Sequence, residues 1–112
     1  MEVLNWAMLR ENCGGDEALV DEVLELFRRE AEGMVADVRK AVEKADAEAV
    51  KRSAHRLKGA LVSLAAHSSV ECARVLEAMG HHKDLAGAPG AMVALDAAVK
   101  SLLSALEVKQ AR

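Results

Sequence analysis

The stretch GGDEALVDEVLELFRREAEGMVADVRKAVEKAD, Gly14 to Asp46, decides the fold. Two glycines break the chain, and Asp16 follows with N-cap chemistry. Glu17, Asp21 and Glu22 then set negative charge near the positive end of a helix dipole. From there Leu19, Val23, Phe27, Ala31, Met34, Val38, Val42 and Ala45 recur at intervals of three and four, the period of a helix buried along one face. Gly33 sits inside the run at a cost of about 1 kcal/mol relative to alanine, and a bend is expected there. The spacing predicts one long helix over about residues 16–45.

Toward the N-terminus, the apolar opening Val3 to Leu9 predicts a short helix over about residues 3–11. Toward the C-terminus, Asp46 caps a third helix over about 46–66, with the stripe Val50, Ala54, Leu57, Leu61 and Leu64. Ser68 with Glu71 three residues on has the form of a capping box. It opens a fourth helix over about 68–80, buried through Cys72, Val75, Leu76 and Met79, with Gly80 as its C-terminal cap. Residues 81–88 read as a loop. Pro89 suits the first turn of a last helix over about 89–108, carrying Met92, Leu95, Val99, Leu102 and Leu106. No repeat or linker divides residues 1–112, so they form a single domain. Four substantial helices with short connections predict an all-α, antiparallel up-down four-helix bundle with a short additional N-terminal helix as a lid.

Composition agrees. The 112 residues include 22 Ala, 14 Leu, 13 Val and 5 Met but no Ile, Tyr or Thr, which excludes a sandwich or a βαβ fold. The longest stretch without Asp, Glu, Lys or Arg, Gly59 to Val70, is too short to span a bilayer, and no apolar signal region follows Met1. Cys13 and Cys72 make no disulfide framework and are expected as reduced thiols in a cytoplasmic protein. A net charge of −3 argues against a nucleic-acid partner.

That charge is a cancellation. Asp16 to Glu48 holds eleven acids and five bases, whereas Lys51 to Val70 holds no acid and the four bases Lys51, Arg52, Arg56 and Lys58. His55 lies in the basic stretch. At about 100° per residue, it points roughly 140–160° away from the stripe of its own helix. The ring therefore faces solvent or a partner. Lys51, Lys58, Gly59 and Val62 share its face. Gly59, one turn beyond His55, weakens the helix without capping it, and its missing side chain clears space for a partner's backbone.

His55-x-Leu57-Lys58-Gly59, between Ala54 and Ala60, resembles the signature of histidine phosphotransfer (HPt) domains. Gly14-Gly15-Asp16-Glu17-x-Leu19 with Leu24-x-Leu26-Phe27 is similar to the family's entry into its long helix. Leu76-Glu77 resembles the Leu-Glu or Ile-Gln pair on the helix after the histidine. The likeness spans about Leu4 to Leu106. Leu64-Ala65-Ala66 departs from the Leu-Gly-Ala common in members, and Glu77 stands where many have Gln.

The resemblance implies a phosphorelay carrier that passes a phosphoryl group between receiver-domain aspartates through phospho-His55, with no kinase activity of its own. An imidazole of ordinary pKa, about 6.5, is largely unprotonated near neutral pH and nucleophilic. The family attacks through Nε2. Lys58 would neutralise phosphoryl charge, Gly59 would admit the receiver's loops, and Glu77 would hydrogen-bond the imidazole. Lys51, Arg52 and Arg56 would pair with the acidic rim of a receiver, and Val62 would add apolar contact on the same face. The implied partners are response-regulator receiver domains, with a hybrid sensor histidine kinase upstream. The domain is expected to be monomeric, without membrane contact, either free-standing or the C-terminal part of a membrane-anchored sensor kinase. No cofactor and no metal belong to the chain, since magnesium comes from the receiver's carboxylates. Two alternatives carry the same signature: the phosphoacceptor domain of a chemotaxis-type kinase, and a helical interaction module without phosphate chemistry.

Five residues lie outside that scheme. His81-His82 has no second ligand pair for a metal, and His67 reads as a surface residue at a helix end. Cys72 reads as a small core residue, and Trp6 either packs the opening helix or serves an apolar docking patch.

Overall fold

A computed structural model describes residues 3–110; Met1, Glu2, Ala111 and Arg112, the ends of the expected 1–112 domain, lie outside the described residues. Five helices follow one another: α1 (Trp6–Asn12), α2 (Glu17–Glu43), α3 (Ala47–Ser63), α4 (His67–His81) and α5 (Ala88–Gln110). No strand occurs among the described residues. Helix α2 packs on α3, α3 on α4, α4 on α5, and α5 back on α2, closing a four-helix bundle. Its long dimension, 41 Å, is that of α2 alone at 1.5 Å per residue.

The predicted core stripes of α3 and α5 are buried at every position. Those of α2 and α4 are buried in part, at Phe27, Ala31, Met34 and Val38 of α2 and Leu76 of α4. In α2 the buried residues are Val20, Leu24, Phe27, Ala31, Met34, Val35, Val38 and Ala41, while Leu19 is exposed and Val23 and Val42 only half-buried. A helix flanked by two neighbours buries a wide face, and the inward centre of such a face is set by where α3 and α5 lie. In α4 the inward set is Ser69, Ala73, Leu76 and Gly80, so Cys72, Val75 and Met79 are half-buried at the edge of the core. Each fully buried Leu, including Leu24, Leu57, Leu61, Leu76, Leu95, Leu102 and Leu106, contributes about 1.5–3 kcal/mol.

Helix starts follow side-chain chemistry in three of the helices α1 to α4. Asn5 caps α1 through Met8 N–H, Asp16 caps α2 through Ala18 and Leu19, and Asp46 caps α3 through Ala49. The short helix thus begins at Trp6 rather than Val3, and Asn5 N–H also bonds Ala65 O, tying the lid to the α3–α4 turn. Trp6 is half-buried and packs against the core cluster, anchoring α1. The expected Ser68–Glu71 capping box does not form: α4 starts at His67 after Ala66, with no side-chain cap, and Glu71 pairs with Arg74 at 2.5 Å.

The reason lies in how α3 ends. Helices α1 to α4 all stop in the same way, with a left-handed residue spanned by a hydrogen bond from the residue after it back to a carbonyl five positions earlier. The left-handed residues are Gly14, Ala45, Ala65 and Lys83, and the bonds run Gly15→Arg10, Asp46→Ala41, Ala66→Leu61 and Asp84→Met79. The turn at Ala65 delivers Ala66 straight into the next helix, before Ser68 is reached. Gly80, expected as the cap of α4, instead lies inside it; the cap role falls to Lys83, and the loop shortens to residues 82–87. Helix α2 runs through Gly33 without interruption. Arg39 of α2 and Asp96 of α5, 2.5 Å apart, latch the side of the bundle away from α4.

Candidate functional site

Helices α3 and α4 form an antiparallel pair across the three-residue turn 64–66, which brings His55 opposite Glu77. His55 lies on the outward face of α3, with 68% of its side chain exposed. Its Nδ1 is 2.6 Å from Glu77 Oε2, and the other oxygen, Oε1, is 2.5 Å from Lys58 Nζ. One carboxylate therefore holds both residues that the sequence singles out. Glu77 is largely buried, with 19% of its side chain exposed, and so it is a firm anchor. Burial pushes its carboxyl up, but the hydrogen bonds and charges of Lys58 and His55 outweigh this and hold the group below its ordinary value.

The anchor has a chemical consequence. A carboxylate accepts hydrogen bonds and donates none, so the neutral ring bonded to it carries its proton on Nδ1. The lone pair is then on Nε2, the nitrogen turned to solvent. Lys58, expected to neutralise phosphoryl charge, is paired with Glu77 in the resting structure.

Gly59 adds the second feature. A Cβ built there meets nothing within 4 Å, so packing inside the domain does not call for glycine. Val62 is exposed on the same face; Arg52 and Arg56 are exposed as well, Arg56 about 100° round the helix from His55, and Lys51 is half-buried. Among the described residues Lys51, Arg52 and Arg56 make no ion pair, which leaves their charge available outward. Arg56 borders a shallow groove with Glu30, Gly33 and Asp37 of α2, where the two acids partly offset it.

The family model for the Hpt domain matches residues 22–107, helix α2 to the end of the core of α5. The chain belongs to the Hpt domain family. Its role is histidine phosphotransfer within a phosphorelay, and Hpt domains as a family are phosphocarriers that work with response-regulator receiver domains. The crystal structure of histidine-containing phosphotransfer protein B (HptB) from Pseudomonas aeruginosa PAO1 matches with a TM-score of 0.91 over 98% of this chain and 96% of that one. Sequence identity is 19%, so this likeness is one of fold. No curated protein matches the chain in sequence.

The remaining histidines and cysteines stand apart from this Hpt site. His81 and His82 meet edge to face at 5.1 Å at the end of α4, and His67 is exposed at its start. Among the described residues no group of three His, Cys, Asp or Glu side chains is placed to hold a metal. Cys13 is buried and Cys72 half-buried; burial and then the charge of Glu71 push the Cys72 thiol up, away from thiolate chemistry. Among the described residues no helix is long and apolar enough to cross a membrane.

Proposed function

We propose that His55 is the phosphoacceptor of this Hpt domain and that Glu77, Lys58 and Gly59 equip it for transfer. The Nε2 lone pair attacks the phosphorus of a receiver's aspartyl phosphate. The N–P bond forms as the P–O bond to the aspartate breaks, and its electron pair returns to the receiver as carboxylate. The ring gains positive charge in the process, and Glu77, bonded at Nδ1, opposes it. Lys58 exchanges its hold on Glu77 for the phosphoryl oxygens once they arrive, since a dianionic group is the stronger partner.

The open space in front of Gly59 supports close approach by the receiver's active-site loops. The unpaired charges of Lys51 and Arg52, with Arg56 partly offset by Glu30 and Asp37, complement an acidic rim and raise the association rate more than the affinity. Val62 adds apolar contact on the same face. Phosphoryl transfer rests on positioning and charge neutralisation, which the pair of proteins supplies jointly. In this reading the chain has no kinase activity and no cofactor of its own, and magnesium is held by the receiver's carboxylates. The domain acts as a cytoplasmic monomer, alone or as part of a larger sensor kinase.

The observation that carries the reading is the shared carboxylate, which fixes the ring with Nε2 outward. A transfer assay tests it. Incubation with a phosphorylated receiver domain labels the wild-type chain with an acid-labile, base-stable phosphate, and His55→Gln takes no label. Label persisting on His55→Gln overturns the assignment. A wild-type chain left unlabelled by several receivers with a competent kinase favours the bare interaction module.

A further inference from the structure

We infer that Gly80, far from capping α4, is a positioning residue of the phosphoacceptor site: it sets the α3–α4 spacing at which Glu77 reaches His55 and Lys58. The inference rests on the phosphoacceptor reading of His55. A Cβ built on Gly80 falls 2.6 Å from Ala47 O, 2.6 Å from Lys51 N and 3.0 Å from Lys51 Cα. All three are backbone atoms of α3, so no side-chain rotation relieves the contact. Gly80 therefore lets α4 lie directly on the α3 backbone, and it is fully packed there. Gly33 and Gly59, the other glycines inside long helices ahead of it, meet nothing within 4 Å. Of the three, only Gly80 is demanded by packing.

The contact lies next to the chemistry along both helices. Lys51 is one turn before His55 on α3, and Glu77 is one turn before Gly80 on α4. An ordinary carbon–oxygen separation of about 3.4 Å would move the α4 backbone outward by about 0.8 Å at this point. The His55–Glu77 bond, 2.6 Å in length, would then stretch past about 3.2 Å, the outer edge of useful hydrogen-bond distances. Glu77 also holds Lys58 through its second oxygen, at 2.5 Å, so a carboxylate that reaches after His55 with one oxygen disturbs the contact made by the other. Widening the pair breaks the chain of contacts that holds the proton on Nδ1.

The test is Gly80→Ala in the full chain, with Glu77→Ala and the double variant beside it. Circular dichroism and melting curves establish the folded fraction, with trimethylamine N-oxide added where needed. Nitrogen-15 signals of the His55 ring report the tautomer, and single-turnover transfer from a phosphorylated receiver reports the rate. Folded Gly80→Ala is expected to lose the bias toward Nδ1–H and to slow transfer about tenfold. Adding Glu77→Ala to it changes the rate by less than about twofold, because both substitutions remove the same interaction.

A folded Gly80→Ala with the wild-type tautomer and rate overturns the inference, as do effects that multiply. A chain that stays unfolded in osmolyte also overturns it, since Gly80 would then serve the fold as a whole. Label on His55→Gln would sink the phosphoacceptor reading instead, and the ring signals of Gly80→Ala would still judge the spacing.

Discussion

Replacing Glu77 with alanine removes the one side chain that touches both His55 and Lys58. A hydrogen bond to a charged partner is worth about 1.5–3 kcal/mol net. At 1.36 kcal/mol per factor of ten, its complete loss from the transition state slows transfer about 10- to 150-fold. Part of the bond already exists in the resting ring, at 2.6 Å, so only its strengthening as charge develops enters the rate. The lower end, about tenfold, is the expected value. Glu77→Gln keeps a carbonyl acceptor for Nδ1–H while giving up the charge, and it should stay within about fivefold of wild type. Rapid-quench single turnover against a phosphorylated receiver in excess measures both. The bundle should survive, because Lys58 is 27% exposed and can turn to water. A stability loss of about 1 kcal/mol is expected for such a partly exposed pair. Transfer by folded Glu77→Ala within about twofold of wild type refutes the claim that this carboxylate prepares the ring.

The same carboxylate makes stability depend on acid: its pKa is depressed by folding, so its contribution is full above the ordinary carboxylate value of about 4.3 and is lost as pH falls through the lower folded value. Chemical denaturation of wild type and Glu77→Ala between pH 3 and 6 should show the difference between them shrinking only at the acid end; a constant difference contradicts the shift. Gly59→Glu should melt higher, by up to about 1 kcal/mol of helix propensity, because a Cβ there meets nothing. It should nonetheless transfer at least about tenfold more slowly, and unimpaired transfer disproves the close-approach role. Lys83→Gly should stabilise by about 0.5–1 kcal/mol, read from urea midpoints, since Lys83 is exposed and holds φ at 58° where glycine carries no penalty. Destabilisation there refutes the strain assigned to that turn.

The architecture was legible in the sequence wherever one residue acts through its own local chemistry. Asp16 and Asp46 cap as their types require, and the stripes of α3 and α5 repeat at helical spacing and are buried throughout. The outward aspect of His55 followed from its angle on the wheel, and the exposure of 68% agrees. The stripes of α2 and α4 held at Phe27, Ala31, Met34, Val38 and Leu76 and were a residue off elsewhere, where apolar residues adjoin each other: Leu19 beside Val20, Val23 beside Leu24, Ala41 beside Val42, Cys72 beside Ala73. Ala, Val and Cys then leave the wheel undecided, and the neighbours choose. The fourth helix start was misplaced because Ser68 has cap chemistry but lies two residues beyond a turn that had already committed the chain.

Gly80 marks the boundary between the two kinds of knowledge. Its sequence context, just before His81-His82 at the end of a helical pattern, fits a cap, and nothing local says otherwise. Only the backbone of α3 lying 2.6 Å from its absent Cβ shows a contact residue. The paired state of Lys58 is of the same kind. The pattern His55-x-x-Lys58 determines that the two share a face, because 100° per residue is a property of one helix. Whether the ammonium is free or held depends on a carboxylate nineteen residues away, and so on how closely two helices pack. The sequence by itself determined the bundle, the exposed histidine and the basic face around it, all consequences of period and residue type. Tertiary structure alone decided which nitrogen of His55 faces out, because that rests on a 2.6 Å contact across the α3–α4 interface.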